Sequence, residues 1–266
     1  MPPGKGRHVL STAGDILRAT AELLWPPTCA CCGTNEPTRE GLCEACGREM
    51  LSLASLAYCR RCGTTAGPYL SPDGDGCAGC PPVAFRFGQV CRIGPYTGCL
   101  RSAVHRLKYS RRPVSARRLA GLLADAVAAR GEGPAPDVVV PVPMHWVRRM
   151  ARGWNHARAL GAGMARRLGV PVEPALRRVR NTPPQVHVPA SQRAANVRGA
   201  FSAGRTSDVG GATVLLVDDV MTTGATCNEA ARTLLAAGAE RVRVAVLARA
   251  EPPTAYSRRL AELGGP

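Results

Sequence analysis

The chain has 266 residues, 45% of them hydrophobic, enough to bury a sizeable core with one main domain and an appendage. Thirty-five Lys and Arg stand against nineteen Asp and Glu, and the formal charge of +16 points to an anionic partner: a phosphate ligand, nucleic acid or a membrane surface. No run of about 18 apolar residues occurs, which argues against a membrane span, and Asp15, Arg18 and Glu22 interrupt the stretch where a signal peptide would be apolar, so a cytoplasmic location is expected.

In chain order, residues 11–25 place Ile16, Leu17, Leu23 and Leu24 near helical spacing, with Ser11 or Thr12 as N-cap and Pro26-Pro27 as the stop. From Cys29 to Cys80 the periodicity disappears, and four CxxC pairs follow: Cys29/Cys32, Cys43/Cys46, Cys59/Cys62 and Cys77/Cys80. Two residues between ligands let a tight turn aim both sulfurs at one ion, and two such pairs complete an S4 tetrahedron. Reducing conditions favour metal over disulfides. The simplest reading is two structural zinc sites in sequential order on ribbon-like hairpins, although the spacing is also compatible with crossed pairing. Eight thiolates and two Zn²⁺ would lower the charge to about +12. Cys31, Cys91, Cys99 and Cys227 read as small core residues, with Cys31 a possible competing ligand. The expected division is an N-terminal helix (1–25), a double zinc ribbon (26–82) and an α/β domain (83–266).

In the α/β part, Phe85 to Ile93 reads as a strand before a Gly94-Pro95 turn, and Leu100–Tyr109 and Val114–Ala129 as helices. Lys108 is one of two lysines in a chain that otherwise uses arginine, which fits a site wanting a compact ammonium, for instance beside a diphosphate. Asp137–Val142 has the β-branched character of a buried parallel strand, and Asn155–Leu168 that of a helix. Ala212–Val217 is the clearest buried strand, followed by Asp218, a loop, and a helix from Ala225 to Ala237. Gly238 caps that helix, and Arg241–Leu247 gives the next strand. The alternation implies a mostly parallel sheet with helices on both faces.

The stretch from Val214 to Thr226 carries the most chemistry. Amides at the helix start, with the hydroxyls of Thr222, Thr223 and Thr226, make an anion cradle, and Gly224 and Ala225 let the backbone approach the ligand. Asp218 and Asp219 would oppose a bare phosphate, but suit a ligand with a diol next to its phosphate, since carboxylates accept from sugar hydroxyls. A 5-phosphorylated ribose meets both requirements, bound beyond the carboxyl ends of the strands.

This stretch resembles the signature of type I phosphoribosyltransferases, which bind phosphoribosyl pyrophosphate (PRPP). The whole chain is similar to the ComF family, on Leu24-Trp25-Pro26, the four CxxC pairs, Arg106–Arg112, Val140–Ala157, Arg180–Gln185, Gln192–Phe201 and Val214–Thr226. The resemblance implies a type I phosphoribosyltransferase-like sheet behind a zinc-ribbon module. It implies that Asp218 and Asp219 contact ribose hydroxyls and that Thr222 to Thr226 hold the 5-phosphate, with Mg²⁺ carried by PRPP. The turn after Pro141-Val142-Pro143 falls at the family's pyrophosphate loop and Arg180–Gln185 at its mobile loop, so Lys108, Arg152, Arg180 and Gln185 are the pyrophosphate and flexible-loop candidates. Trp146 and His156 depart from the family pattern.

Arginines around residues 101–118 and 148–158, interleaved with Tyr109, Trp146 and Trp154, are either solvated helix faces beside core rings or a groove for single-stranded DNA. Two functions follow from the resemblance. One is a PRPP-binding competence protein handling incoming single-stranded DNA, its ribbons docking a partner such as a ComFA-type helicase. The other is an active phosphoribosyltransferase of nucleotide salvage, transferring the sugar phosphate to a nitrogen acceptor, although no acceptor pocket is evident in Arg249–Pro266.

Overall fold

The computed structural model describes residues 28–35, 41–66, 76, 77, 80, 84–109, 113–130, 133–152, 154–183, 185, 188–204 and 208–251. The expected helix over 11–25 and the boundary near 82 lie outside these residues. No helix among them is long and apolar enough to cross a membrane.

Four strands, β1 (Gln89–Pro95), β2 (Val138–Pro141), β5 (Thr213–Met221) and β6 (Arg241–Arg249), form a wholly parallel sheet in the order β1-β6-β5-β2. Their side chains alternate between two cores. Val139, Leu215, Val217, Ala245 and Leu247 face one side, where they join residues of α2 (Gly98–Tyr109), α3 (Pro113–Ala129) and α5 (His156–Leu168). Val138, Val140, Val214, Leu216, Val244 and Val246 face the other, beneath α7 (Ala225–Ala236). Between α5 and β5 lie a two-stranded antiparallel hairpin, β3 (Leu176–Arg178) with β4 (Phe201–Ala203), and the short α6 (Arg193–Val197). A seven-residue helix, α4 (Trp146–Arg152), follows β2.

Three elements differ from the expectation. β1 runs through Gly94 and Pro95, because both pair with β6. β5 extends to Met221 rather than ending before the acidic pair, its last residues pairing with Val246–Arg249. Cys43 and Cys46 sit at the start of a helix, α1 (Glu44–Ser55), in a stretch where the sequence showed little periodic apolar pattern.

The cysteine module repeats a Cys-x-x-Cys-Gly-Thr knuckle. Cys29 N donates to Thr34 O and Gly33 N to Cys29 O, as Cys59 N does to Thr64 O and Gly63 N to Cys59 O. The knuckles do not stand apart from the sheet. Cys29, Ala30, Cys31, Leu42, Cys46 and Met50 belong to the same core as Leu100, Ala103 and Leu107 of α2. Glu49 of α1 accepts from Cys99 N at 2.9 Å, filling a first-turn amide of α2. One apolar interior serves both parts.

Candidate functional site

The tetrads form as the sequential assignment requires. Cys29, Cys32, Cys43 and Cys46 bring their sulfurs within 4.8 Å of one another, as do Cys59, Cys62, Cys77 and Cys80. Sulfurs bound at about 2.3 Å around one zinc stand roughly 3.8 Å apart. The observed separations are 3.6 Å for Cys32–Cys43, 3.7 Å for Cys59–Cys80, 3.4 Å for Cys62–Cys77 and 3.8 Å for Cys77–Cys80. The donor set therefore fits structural zinc. Against the upward push of burial, backbone amides at Cys43, Cys32 and Cys31 bring Cys29 down to about 6, which favours the ligating thiolate. Cys31 is not a ligand. The neighbouring Cys99 thiol and burial hold it far above the ordinary thiol range, and it packs in the core with Cys99. Cys91 and Cys227 are buried as well.

A cavity of about 450 Å³ opens beyond the carboxyl ends of the sheet, and every strand contributes to it. Tyr96 follows β1, Val142 and Pro143 follow β2, Asp218 to Met221 end β5, and Ala250 follows β6. This is the position at which open parallel sheets bind ligands. Thr222, Gly224, Ala225 and Thr226 line its floor, where the strand hands over to α7. Gly224 takes φ +81°, and a Cβ there would stand 2.8 Å from the Phe85 ring, so both backbone shape and space require glycine. The first-turn amides of α7 have no intrahelical carbonyl to bond and carry the positive end of the helix dipole. The Thr223 hydroxyl accepts from Ala225 N at 3.4 Å, and Thr223 is not among the residues lining the cavity.

The acidic pair is divided in exposure and in charge, with Asp219 buried and Asp218 half-buried. Asp219 Oδ2 lies 3.1 Å from Lys108 Nζ and 2.9 Å from His156 Nε2. Although burial opposes it, the Lys108 ammonium and the His156 contact hold Asp219 well below the usual carboxylate range. Burial, then the charge of Asp219, pushes Asp218 up to about 7. The pair thus offers one firmly ionised carboxylate and one group that holds its proton more readily, able between them to accept from and donate to a diol. Asp219 raises Lys108 above its ordinary value despite burial, so the lysine stays charged. Lys108 lines the cavity as the sequence predicted, but its compact charge is set against Asp219.

Gln185 also reaches the site, donating to Thr226 Oγ1 at 3.4 Å. Arg180 does not line the cavity; its guanidinium donates to Arg198 O. Arg152 closes α4, and its side chain lies outside the described residues. Two further cationic residues line the wall: Arg148, read from the sequence only as part of a basic stretch, which donates to Thr182 O, and Arg178, missed by sequence reasoning, which donates to Thr182 Oγ1 at 2.7 Å and stacks its guanidinium 5.4 Å from the Phe201 ring centre. Arg178 stands on a three-residue strand too short to show periodicity. His156, read only as a departure from a family pattern, is 6% exposed and fixed on Asp219. Of the three rings proposed for base stacking, Tyr109 and Trp146 are 61% and 60% exposed, whereas Trp154 packs against the core.

Comparison with known proteins matches residues 155–260 to the phosphoribosyl transferase domain and residues 20–81 to the double zinc ribbon domain. The chain is 37% identical over 213 residues to the DNA utilization protein YhgH of Salmonella typhi, covering 79% of this chain and 90% of that protein. It is 32% identical over 225 residues to competence protein F of Haemophilus influenzae, covering 83% and 95% respectively.

Proposed function

Since the chain belongs to the ComF family, with a double zinc ribbon joined to a phosphoribosyltransferase-type sheet, we propose that its cavity binds PRPP with Mg²⁺ in the handling of incoming DNA. One observation carries this reading. An amide cradle for a phosphate and an acidic pair for a diol lie side by side at the mouth of a parallel sheet. The 5-phosphate would rest on the backbone of residues 222–226, and the ribose hydroxyls on Asp218 and Asp219. Lys108 and His156 keep the charge of Asp219 in place while the sugar approaches. Arg148 and Arg178 supply positive charge along the wall, where a diphosphate would need it. Mg²⁺ enters with the diphosphate, whose charge it partly neutralises.

DNA handling draws its support from the names of the relatives and from the exposed rings of Trp146 and of Tyr109, the latter on the cavity wall. A ComFA-type helicase as partner rests on family resemblance alone. The test is a thermal shift with PRPP/Mg²⁺, AMP and a short oligonucleotide in parallel. PRPP/Mg²⁺ is expected to raise the midpoint in a concentration-dependent way, and replacing both Asp218 and Asp219 with alanine to abolish that rise. An unchanged midpoint with PRPP would overturn the reading. Pyrophosphate release from PRPP with a base or amine would identify the protein as a transferase; binding without release would leave it a ligand-binding protein.

A further inference from the structure

The second tetrad lies against the phosphate loop, and one side chain connects them. Arg249, at the end of β6 and 6% exposed, donates from Nε to the carbonyl of Cys62 at 2.7 Å. Its Nη1 donates to Met221 O at 3.3 Å and to Ala250 O. Met221 is the last residue of β5, and Thr222, the first of the loop, follows it directly. A single guanidinium therefore spans from a metal ligand's backbone to the residue on which the phosphate loop hangs.

The knuckle is seated for this contact. Gly63, at φ +74°, has no side chain, and a Cβ there would meet Val90 at 3.2 Å, Arg249 at 3.4 Å and Met221 at 3.5 Å. On its flanks Arg60 O accepts from Val90 N at 2.7 Å, and Thr65 N and Oγ1 donate to Glu251 Oε1 at 2.6 and 2.5 Å. Arg92, fully buried in β1, donates to Thr65 Oγ1 at 2.7 Å. What holds the Cys62 carbonyl towards Arg249 is the tight Cys59–Thr64 turn. A turn of this size has little core of its own, so the ion bound by its sulfurs is what defines it.

We propose that Arg249 is a positioning residue through which the second metal site sets the phosphate loop, so that metal in the Cys59/Cys62/Cys77/Cys80 tetrad and ligand on residues 222–226 bind cooperatively. Linkage makes the effect reciprocal: a filled tetrad raises affinity for the ligand, and a bound ligand raises affinity for the metal by the same factor. The identity of that ligand rests on the PRPP reading; the mechanical link does not.

The experiment compares hydrogen exchange in the full-length, zinc-loaded wild type with Arg249→Met, Arg249→Lys and Cys77→Ser. In Arg249→Met and Cys77→Ser, amides of residues 221–227 are expected to exchange roughly tenfold faster, the change that one lost charge-assisted hydrogen bond produces. Amides of β2 and α5 should keep their protection, and Arg249→Lys should recover part of the loss. Unchanged exchange at 221–227, or acceleration spread equally over β2 and α5, would overturn the proposal. In the second arm, PRPP/Mg²⁺ affinity should fall about fivefold or more in Arg249→Met, and a chromogenic chelator should hold less of the protein's zinc at equilibrium when PRPP/Mg²⁺ is present. If wild type does not bind PRPP, the ligand assignment fails while the exchange arm still decides the link.

Discussion

Asp218 and Asp219 are covalent neighbours, yet they meet opposite electrostatic fates because successive strand residues face opposite ways. Asp219 points to the side where α2 and α5 present Lys108 and His156, whereas Asp218 makes no ion pair among the described residues and feels those cations only at longer range. The sign of the pH response follows. A carboxyl raised from 3.8 to about 7 binds its proton more tightly in the fold than in the unfolded chain. Its cost is absent below about pH 4, grows between pH 4 and 7, and is constant above. Asp218→Asn is therefore expected to stabilise the ligand-free protein most above pH 7, by up to about 4 kcal/mol. Melting midpoints measured from pH 8 to pH 5 should show the gain shrinking with acidity. A gain that grew on acidification would contradict the assignment. Asp219 behaves oppositely: its pairing stabilises at neutral pH and is lost only in strong acid, below its ordinary titration range.

At the level of elements, the site is assembled from segments that reach it by different routes, and their legibility differed accordingly. The strand at residues 213–217 and the Thr-Gly loop were readable because a β-branched run and a glycine-opened helix are local signals. The extra strand length through Asp218–Met221 was not readable, because two aspartates look like a strand end unless the partner strand is known to continue. β3 and β4, three residues each, carry no period at all. The Lys108–Asp219 pair joins residues 111 positions apart, and nothing in either segment announces the other. Buried arginines were missed for a related reason: in sequence, Arg92, Arg243 and Arg249 look like the solvated cations that make up most of the surplus charge. The α1–α2 junction is another such remote pairing. Glu49 completes the start of the helix that carries Lys108. Glu49→Ala should cost about 1 kcal/mol, within the usual range for losing a helix cap. Chemical denaturation will measure it, and Glu49→Gln, which retains an acceptor, should lose less.

For the molecule as a whole, the cysteine module and the sheet share a continuous interior, with Ala30, Cys31 and Met50 packed among residues of α2. Metal bound to a small module of this kind contributes its binding energy to folding. Stripping zinc is thus expected to lower the melting of the entire described fold and not of a detachable ribbon. Scanning calorimetry of metal-loaded and chelator-treated protein should show the main transition moving down. A main transition that kept its midpoint beside a small, separate zinc-dependent one would show two independent units. The same integration explains why composition alone, which changes abruptly between the cysteine-rich and α/β segments, could not reveal the shared interior.

The scarcity of lysine has a practical consequence. With Lys5 and Lys108 as the only ε-amines in the chain, acylating reagents have two side-chain targets, and one of them is clasped by an aspartate on the wall of the cavity. Because Asp219 holds that amine protonated, it should acylate far more slowly than Lys5. A mass-spectrometric footprint of its slow labelling at raised pH would report whether the chamber is filled, with no engineered label and no disturbance to the arginines around it.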